Sequence, residues 1–171
     1  QSLITTPGIT PAFTQVRGET RCCINVRDRE TNQSTEFLEP GNPVSQGELE
    51  RFLADYQSHL EQAEVVAISG SMPKGVPGDF SATLCRLAKA RGKKVIVDSS
   101  GSALREALPG GPDLVKPNDE ELCQLTGQDT STVEGCIQAA QSLRALSAGT
   151  VAVSRGKDGV LVVSPQGVYQ G

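Results

Sequence analysis

The feature that most restricts this chain is the repetition, from residue 45 onward, of one pair of segments. A short apolar run with no polar face is followed by a longer run whose apolar residues recur at helical spacing. The short runs are Val65–Ile68, Val95–Val97, Leu114-Val115, Val151–Val153 and Val160–Val163. A strand with apolar side chains on both faces must be covered on both, and a parallel sheet flanked by helices does this. Between the runs, Leu49, Phe52, Leu53, Tyr56 and Leu60 share one helical face, and Phe80, Leu84 and Leu87 share another. Residues 102–108, 118–125 and 132–146 also read as helices. Ser45/Glu48, Asn118/Glu121 and Ser131/Glu134 have capping-box spacing, and Asp79 stands where the helix at Phe80 needs a cap. The expected fold class is α/β, three layers with a mostly parallel sheet. Right-handed crossovers then place the carboxyl ends of the parallel strands on one edge, where open sheets bind ligands.

The first part of the chain departs from this scheme. From Arg21 to Arg27, Arg21, Cys23, Asn25 and Arg27 alternate with Cys22, Ile24 and Val26. A polar turn over 28–33 and a second strand-like run over 34–38 complete a hairpin with one apolar and one hydrogen-bonding face. Glu39-Pro40-Gly41-Asn42-Pro43 ends it. The expected organisation is a small β lid at about 13–39 and an α/β core at about 45–171.

Composition removes several function classes. Sixteen Lys and Arg stand against 20 Asp and Glu, giving a net charge of −4. The basic residues are scattered, so no nucleic-acid or anionic-membrane surface is expected. The 5 cysteines include no pair at metal-site spacing and read as reduced thiols of a cytoplasmic protein. No apolar run is long enough to cross a bilayer. There is no Walker A sequence and no G-x-S-x-G elbow, and the 1 histidine, His59, lies on the polar side of a helix. A serine- or cysteine-hydrolase reading lacks its general base.

Polar groups gather where strands should end. Ser69-Gly70-Ser71 follows the Val65 run, and its hydroxyls are placed to meet a sugar or phosphate oxygen; an ordinary loop is the alternative. Asp98 ends the Val95 run and suits Mg²⁺, directly or through water, or else the capping of the next helix. In Lys116-Pro117-Asn118-Asp119-Glu120-Glu121, spacing alone favours capping by Asn118 and Glu121. The preceding lysine and proline aim an ammonium and a carboxylate at one crevice, as a nucleotide phosphate and its Mg²⁺ require. Ser154-Arg155-Gly156-Lys157-Asp158-Gly159 joins two strands, either as a simple turn or as a glycine-bearing approach to a ligand.

In this order and spacing, T-R-C-C-I-N-V, E-P-G-N-P-V-S, A-I-S-G-S-M-P-K-G, V-I-V-D-S-S-G, V-K-P-N-D-E-E-L and V-S-R-G-K-D-G resemble the phosphofructokinase B family of ribokinase-like carbohydrate kinases. The hairpin and E-P-G-N-P-V-S look most like tagatose-6-phosphate kinases, with 1-phosphofructokinases and 6-phosphofructokinases next. The resemblance implies ATP and Mg²⁺ as cofactors and a ketohexose phosphate as acceptor. Arg21, with Cys23 and Asn25, would contact the sugar's phosphate, and Ser71 would hold the substrate. Lys116 and Asn118 would approach the nucleotide phosphates, with Ser154, Gly156 and Gly159 lining its crevice. Glu121 and Asp98 would support Mg²⁺. The hairpin would pair two subunits into a homodimer.

The family's G-x-G-D segment, which supplies the catalytic base, and its N-terminal strand region have no counterpart here. With Gln at position 1 and last residues that follow the Val160–Val163 run with no closing helix, the chain is expected to be a central piece of a kinase domain, inactive alone. A non-catalytic nucleotide or sugar-phosphate binding module, and a kinase for an unphosphorylated sugar or nucleoside, are the alternatives. Arg21 argues against the last.

Overall fold

The computed structural model describes residues 8–146 and 148–171. It divides into two compact units, one running up to Tyr56 and including Pro73–Val76, the other comprising Gln57–Met72 and Pro77–Gly171.

In the first unit, β1 (Cys23–Arg27) and β2 (Ser34–Leu38) form the expected antiparallel hairpin. Ile24 lies opposite Phe37 and Val26 opposite Thr35, while Asn25 lies opposite Glu36, so the parity read from the sequence holds. Its base is latched by Cys22 and Glu39. The Glu39 N–H donates to the Cys22 carbonyl, and the Cys22 N–H donates to the Glu39 carboxylate at 2.7 Å. Helix α1 (Gln46–Leu60) begins in this unit. Glu48, only 5% exposed, accepts from the Ser45 hydroxyl (2.6 Å), the Ser45 N–H (2.8 Å) and the Arg17 N–H (2.7 Å). The Ser45 hydroxyl therefore donates to the carboxylate, and only the Glu48 half of the expected box forms. These bonds, the Ser45 hydroxyl first, hold the Glu48 carboxyl down at about 2.

The second unit is built on a 6-stranded sheet in sequence order: β3 (Val65–Ser69), β4 (Lys94–Asp98), β5 (Leu114–Val115), β6 (Thr150–Ser154), β7 (Val160–Ser164) and β8 (Gly167–Gln170). The pairs from β3 to β6 are parallel, and β6–β7 and β7–β8 are antiparallel. Helices α2 (Phe80–Ala90) and α3 (Gly101–Ala107) contact β4; α4 (Asp119–Thr126) and α5 (Val133–Leu146) contact β6. Val95, Val97, Val151, Val153, Leu161 and Val163 form a closed face of the sheet, each 0–1% exposed. Their neighbours Ile96, Ala152 and Val162 are half-buried, so the two apolar faces are not equally covered by these residues. Asp113 ties the layers together, accepting from Lys89 (2.8 Å), Lys94 (3.2 Å) and the Val95 N–H (2.8 Å).

Two helix starts differ from the sequence reading. Asp79 occupies the cap position of α2 but makes no cap hydrogen bond, and its carboxylate faces Arg86 at 3.7 Å. At α5 the cap is Thr132, whose hydroxyl accepts from the Gly135 N–H, while Ser131 is held in a turn by Asp129. At α5 two neighbouring hydroxyl residues compete for one cap, and the turn at Asp129 leaves it to Thr132. Strand β8 was not expected, because a short half-polar run gains its place only by pairing with β7.

Candidate functional site

Strand register builds the site. Ser69 pairs with Asp98, and Val97 pairs with Val115, so Asp98 and Lys116 leave adjacent parallel strands side by side. A further parallel bridge, Asn118 to Ser154, carries the edge across to β6. Ser71, Asp98, Lys116, Asn118, Glu121 and Ser154 thus line one open cleft of about 400 Å³. These residues of the expected site are far apart in sequence and meet because parallel strands end on the same side.

Four of these groups are paired within the cleft, Lys116 with Asp98 and Asn118 with Glu121. Lys116 Nζ lies 3.1 Å from Asp98 Oδ1, with both side chains about half exposed. The capping alternative for Asp98 is overturned: the cap position of α3 is Ser100, whose side chain makes no cap bond. For Glu121 the capping box does form, with Asn118 Oδ1 accepting from the Glu121 N–H and Glu121 Oε2 accepting from the Asn118 N–H. Ser99 also lines the cleft and was missed as a candidate. It is 6% exposed, and its hydroxyl donates to the Gly70 carbonyl at 2.9 Å, fastening the loops after β3 and β4. The repeated serines of D-S-S-G were the available signal.

The segment after β6 is a tight turn. Gly156–Asp158 form a single 3₁₀ turn, and the Arg155 N–H donates to the Gly159 carbonyl. Gly159 has φ +80°, a conformation that favours glycine. With Arg155, Lys157 and Asp158 it borders a second, more open hollow of about 610 Å³, so Ser154 and Gly159 face different spaces. Arg21, Cys23 and Asn25 belong to the hairpin unit. The stem of Arg21 runs alongside Gly41 in the Glu39–Pro43 break. Asn25 is engaged by Glu36 and Ser34 across the hairpin, which occupies its amide.

Among the described residues, no group of three or more His, Cys, Asp or Glu side chains is arranged to hold a metal by itself. Mg²⁺ asks for less, since it keeps several waters and is bound through one or two carboxylates together with substrate phosphates. Asp98 and Glu121 in one cleft with an ammonium fit that donor set.

A mostly parallel sheet whose strand ends converge on a cleft lined by one ammonium, two carboxylates and several hydroxyls is an α/β arrangement suited to a polar ligand. The chain belongs to the pfkB carbohydrate kinase family, whose model matches residues 1–170. Phosphofructokinase-2 from Escherichia coli, in its tetrameric inhibited form, superposes with a TM-score of 0.84 at 31% identity, covering 99% of this chain and 56% of that one. A possible 1-phosphofructokinase from Thermotoga maritima gives 0.80 at 31% identity, covering 92% of this chain and 50% of that one. Arabidopsis thaliana ribokinase shares the fold at 22% identity and a TM-score of 0.66, over 91% of this chain and 49% of that one. The chain therefore spans about half the length of these relatives.

Proposed function

We propose that the protein transfers the γ-phosphoryl group of ATP to a hydroxyl of a ketohexose phosphate. Tagatose 6-phosphate is placed ahead of fructose 1-phosphate and fructose 6-phosphate, on the hairpin and E-P-G-N-P-V-S. The observation that carries the reading is the meeting of Lys116, Asp98, Glu121 and Ser71 in one cleft at the parallel strand ends. Membership of the pfkB family supports it, and one similar structure is that of phosphofructokinase-2 in complex with fructose-6-phosphate.

In this reading Lys116 and Asn118 face the nucleotide phosphates, with Ser154, Gly156 and Gly159 along the nucleotide. Asp98 and Glu121 hold the waters of a Mg²⁺, which when bound neutralises charge on the transferring phosphoryl group. Ser71 orients the sugar, and Arg21, with Cys23 and Asn25 beside it, pairs with the phosphate the sugar already carries. Such transfers depend on in-line positioning and charge stabilisation. The proton acceptor is assigned to the G-x-G-D segment that the resemblance calls for, and the 171-residue chain is taken to be inactive alone. A cytoplasmic homodimer joined through the hairpin completes the proposal. No helix among the described residues is long and apolar enough to cross a membrane.

The test is ADP formation by the full-length protein with ATP, Mg²⁺ and each of the three sugar phosphates, beside free ribose, fructose and a nucleoside. Turnover confined to a ketohexose phosphate is expected. Binding of ATP and sugar phosphate without turnover by a folded full-length protein would replace the kinase with a binding module.

A further inference from the structure

We propose that Lys74 is a specificity residue, a second cation that joins Arg21 on the phosphate the sugar already carries. The inference rests on the proposed role of Arg21 and extends it to a residue outside that reading.

The charge on such a ligand calls for more than one arginine. A phosphate monoester carries roughly −1.5 to −2 at pH 7 and presents three strong acceptor oxygens. One guanidinium engages two of those oxygens side by side and leaves about one negative charge unmatched. An ammonium, a compact point charge with three donors, suits the third oxygen.

The backbone brings such a group close. Arg21 and Lys74 are far apart in sequence, but both belong to the first compact unit. Both also pack on one short segment, residues 39–44. Toward its start, the stem of Arg21 passes over Gly41, its Cδ 3.6 Å from where a Gly41 Cβ would stand. At its end, the Val44 N–H donates to the Lys74 carbonyl at 2.7 Å. Gly75, at φ +87°, leaves no room for a Cβ beside the Val44 carbonyl, so the loop lies tight against that residue. Gly41 and Val44 are separated by at most about 11 Å of chain, and Pro43 stiffens that span. Two long side chains rooted so near each other can converge on one phosphate.

Lys74 is also available for that contact. It is exposed, and among the described residues no hydrogen bond or ion pair engages its ammonium. Glu39, a carboxylate of the same segment, is held by the Cys22 N–H at 2.7 Å. Residue 74 is fixed through its carbonyl and the neighbouring glycine, so its side chain can be replaced without releasing the loop.

The test is steady-state kinetics of the full-length protein with ATP, Mg²⁺ and each of tagatose 6-phosphate, fructose 1-phosphate and fructose 6-phosphate. Lys74→Gln is expected to raise KM for the preferred sugar phosphate about fivefold. Its kcat, KM for ATP and melting temperature should stay near the wild-type values. Lys74→Arg, which keeps the charge, should restore KM to within about twofold. A merely structural lysine would lower melting temperature and kcat together and would not single out one substrate. That pattern, an unchanged sugar-phosphate KM in Lys74→Gln, or no rescue by Lys74→Arg overturns the inference and leaves the kinase reading in place. A folded wild type that turns over none of the three sugar phosphates overturns both.

Discussion

Asn118 and Glu121 hold each other reciprocally: Glu121 donates its N–H to Asn118 Oδ1 at 2.8 Å, and Asn118 donates its N–H to Glu121 Oε2 at 2.9 Å. The residue assigned to Mg²⁺ is thus also half of a helix cap, and a substitution must separate the two roles. Glu121→Gln keeps an acceptor for the Asn118 N–H, so melting temperature should change little. If the carboxylate also supports the cation, activity should fall and partly recover at high Mg²⁺. Glu121→Ala should additionally lower stability by about 0.3–1.5 kcal/mol, measured by thermal unfolding. Full activity in Glu121→Gln returns Glu121 to capping alone.

Glu48 sets a pH dependence. Its carboxyl titrates at about 2 in the folded chain against 4.5 for a free glutamate. Because the folded value is depressed, the stability it contributes is fully present above pH 4.5 and is lost as pH falls through about 2. The melting-temperature gap between wild type and Glu48→Gln should be widest above pH 5 and narrow steadily toward pH 2. A gap independent of pH would remove the carboxylate from this account.

Gly75 is required by its backbone. It has φ +87°, and a Cβ there would lie 2.4 Å from the Val44 carbonyl oxygen. Val44 also donates its N–H to the Lys74 carbonyl at 2.7 Å, so the two segments cannot separate without breaking that bond. Gly75→Ala should destabilise by about 1–3 kcal/mol, whereas Gly47→Ala, in open space on α1, should not destabilise. Thermal unfolding of the two variants side by side decides this.

The cysteines should sort by burial. Burial pushes the Cys85 thiol up to about 11 and raises that of Cys136 as well, so both should resist alkylation in the native state. Cys22 and Cys23 are exposed and should react first. Mass spectrometry after brief iodoacetamide treatment reads the order; early modification of Cys85 would contradict the packing around α2.

On the proposed function, Arg21→Ala in the full-length protein should raise KM for the sugar phosphate about tenfold, as loss of a charge-assisted contact worth about 1.5–3 kcal/mol implies. The same change should leave KM for ATP near its original value. Steady-state kinetics in both substrates test it, and an unchanged sugar-phosphate KM would remove the main support for a phosphorylated acceptor.

Much of this was legible in one dimension. Short apolar runs at Val95–Val97 and Val151–Val153 signalled parallel strands, because a strand covered on both sides needs no polar face. The alternation of Cys23 and Asn25 with Ile24 and Val26 fixed the hairpin's parity, because strand side chains alternate with period 2. Positions of Asp98 and Lys116 at strand ends followed from the same patterns. What the sequence determined by itself, then, was local: element types, face parity, and which polar residues stand at the ends of strands.

Tertiary structure decided the rest. Spacing could not choose between Ser131 and Thr132 as the cap of α5, or show that Asp79 would stand at a helix start without capping it. Those outcomes depend on turns a few residues away. Nor could it show that Asp98 would be matched to Lys116, or that Ser99 would fasten two loops, because both are cross-strand relationships set by register. Charges about 18 positions apart become neighbours only when β4 and β5 pair, and that distance decides how each is partnered.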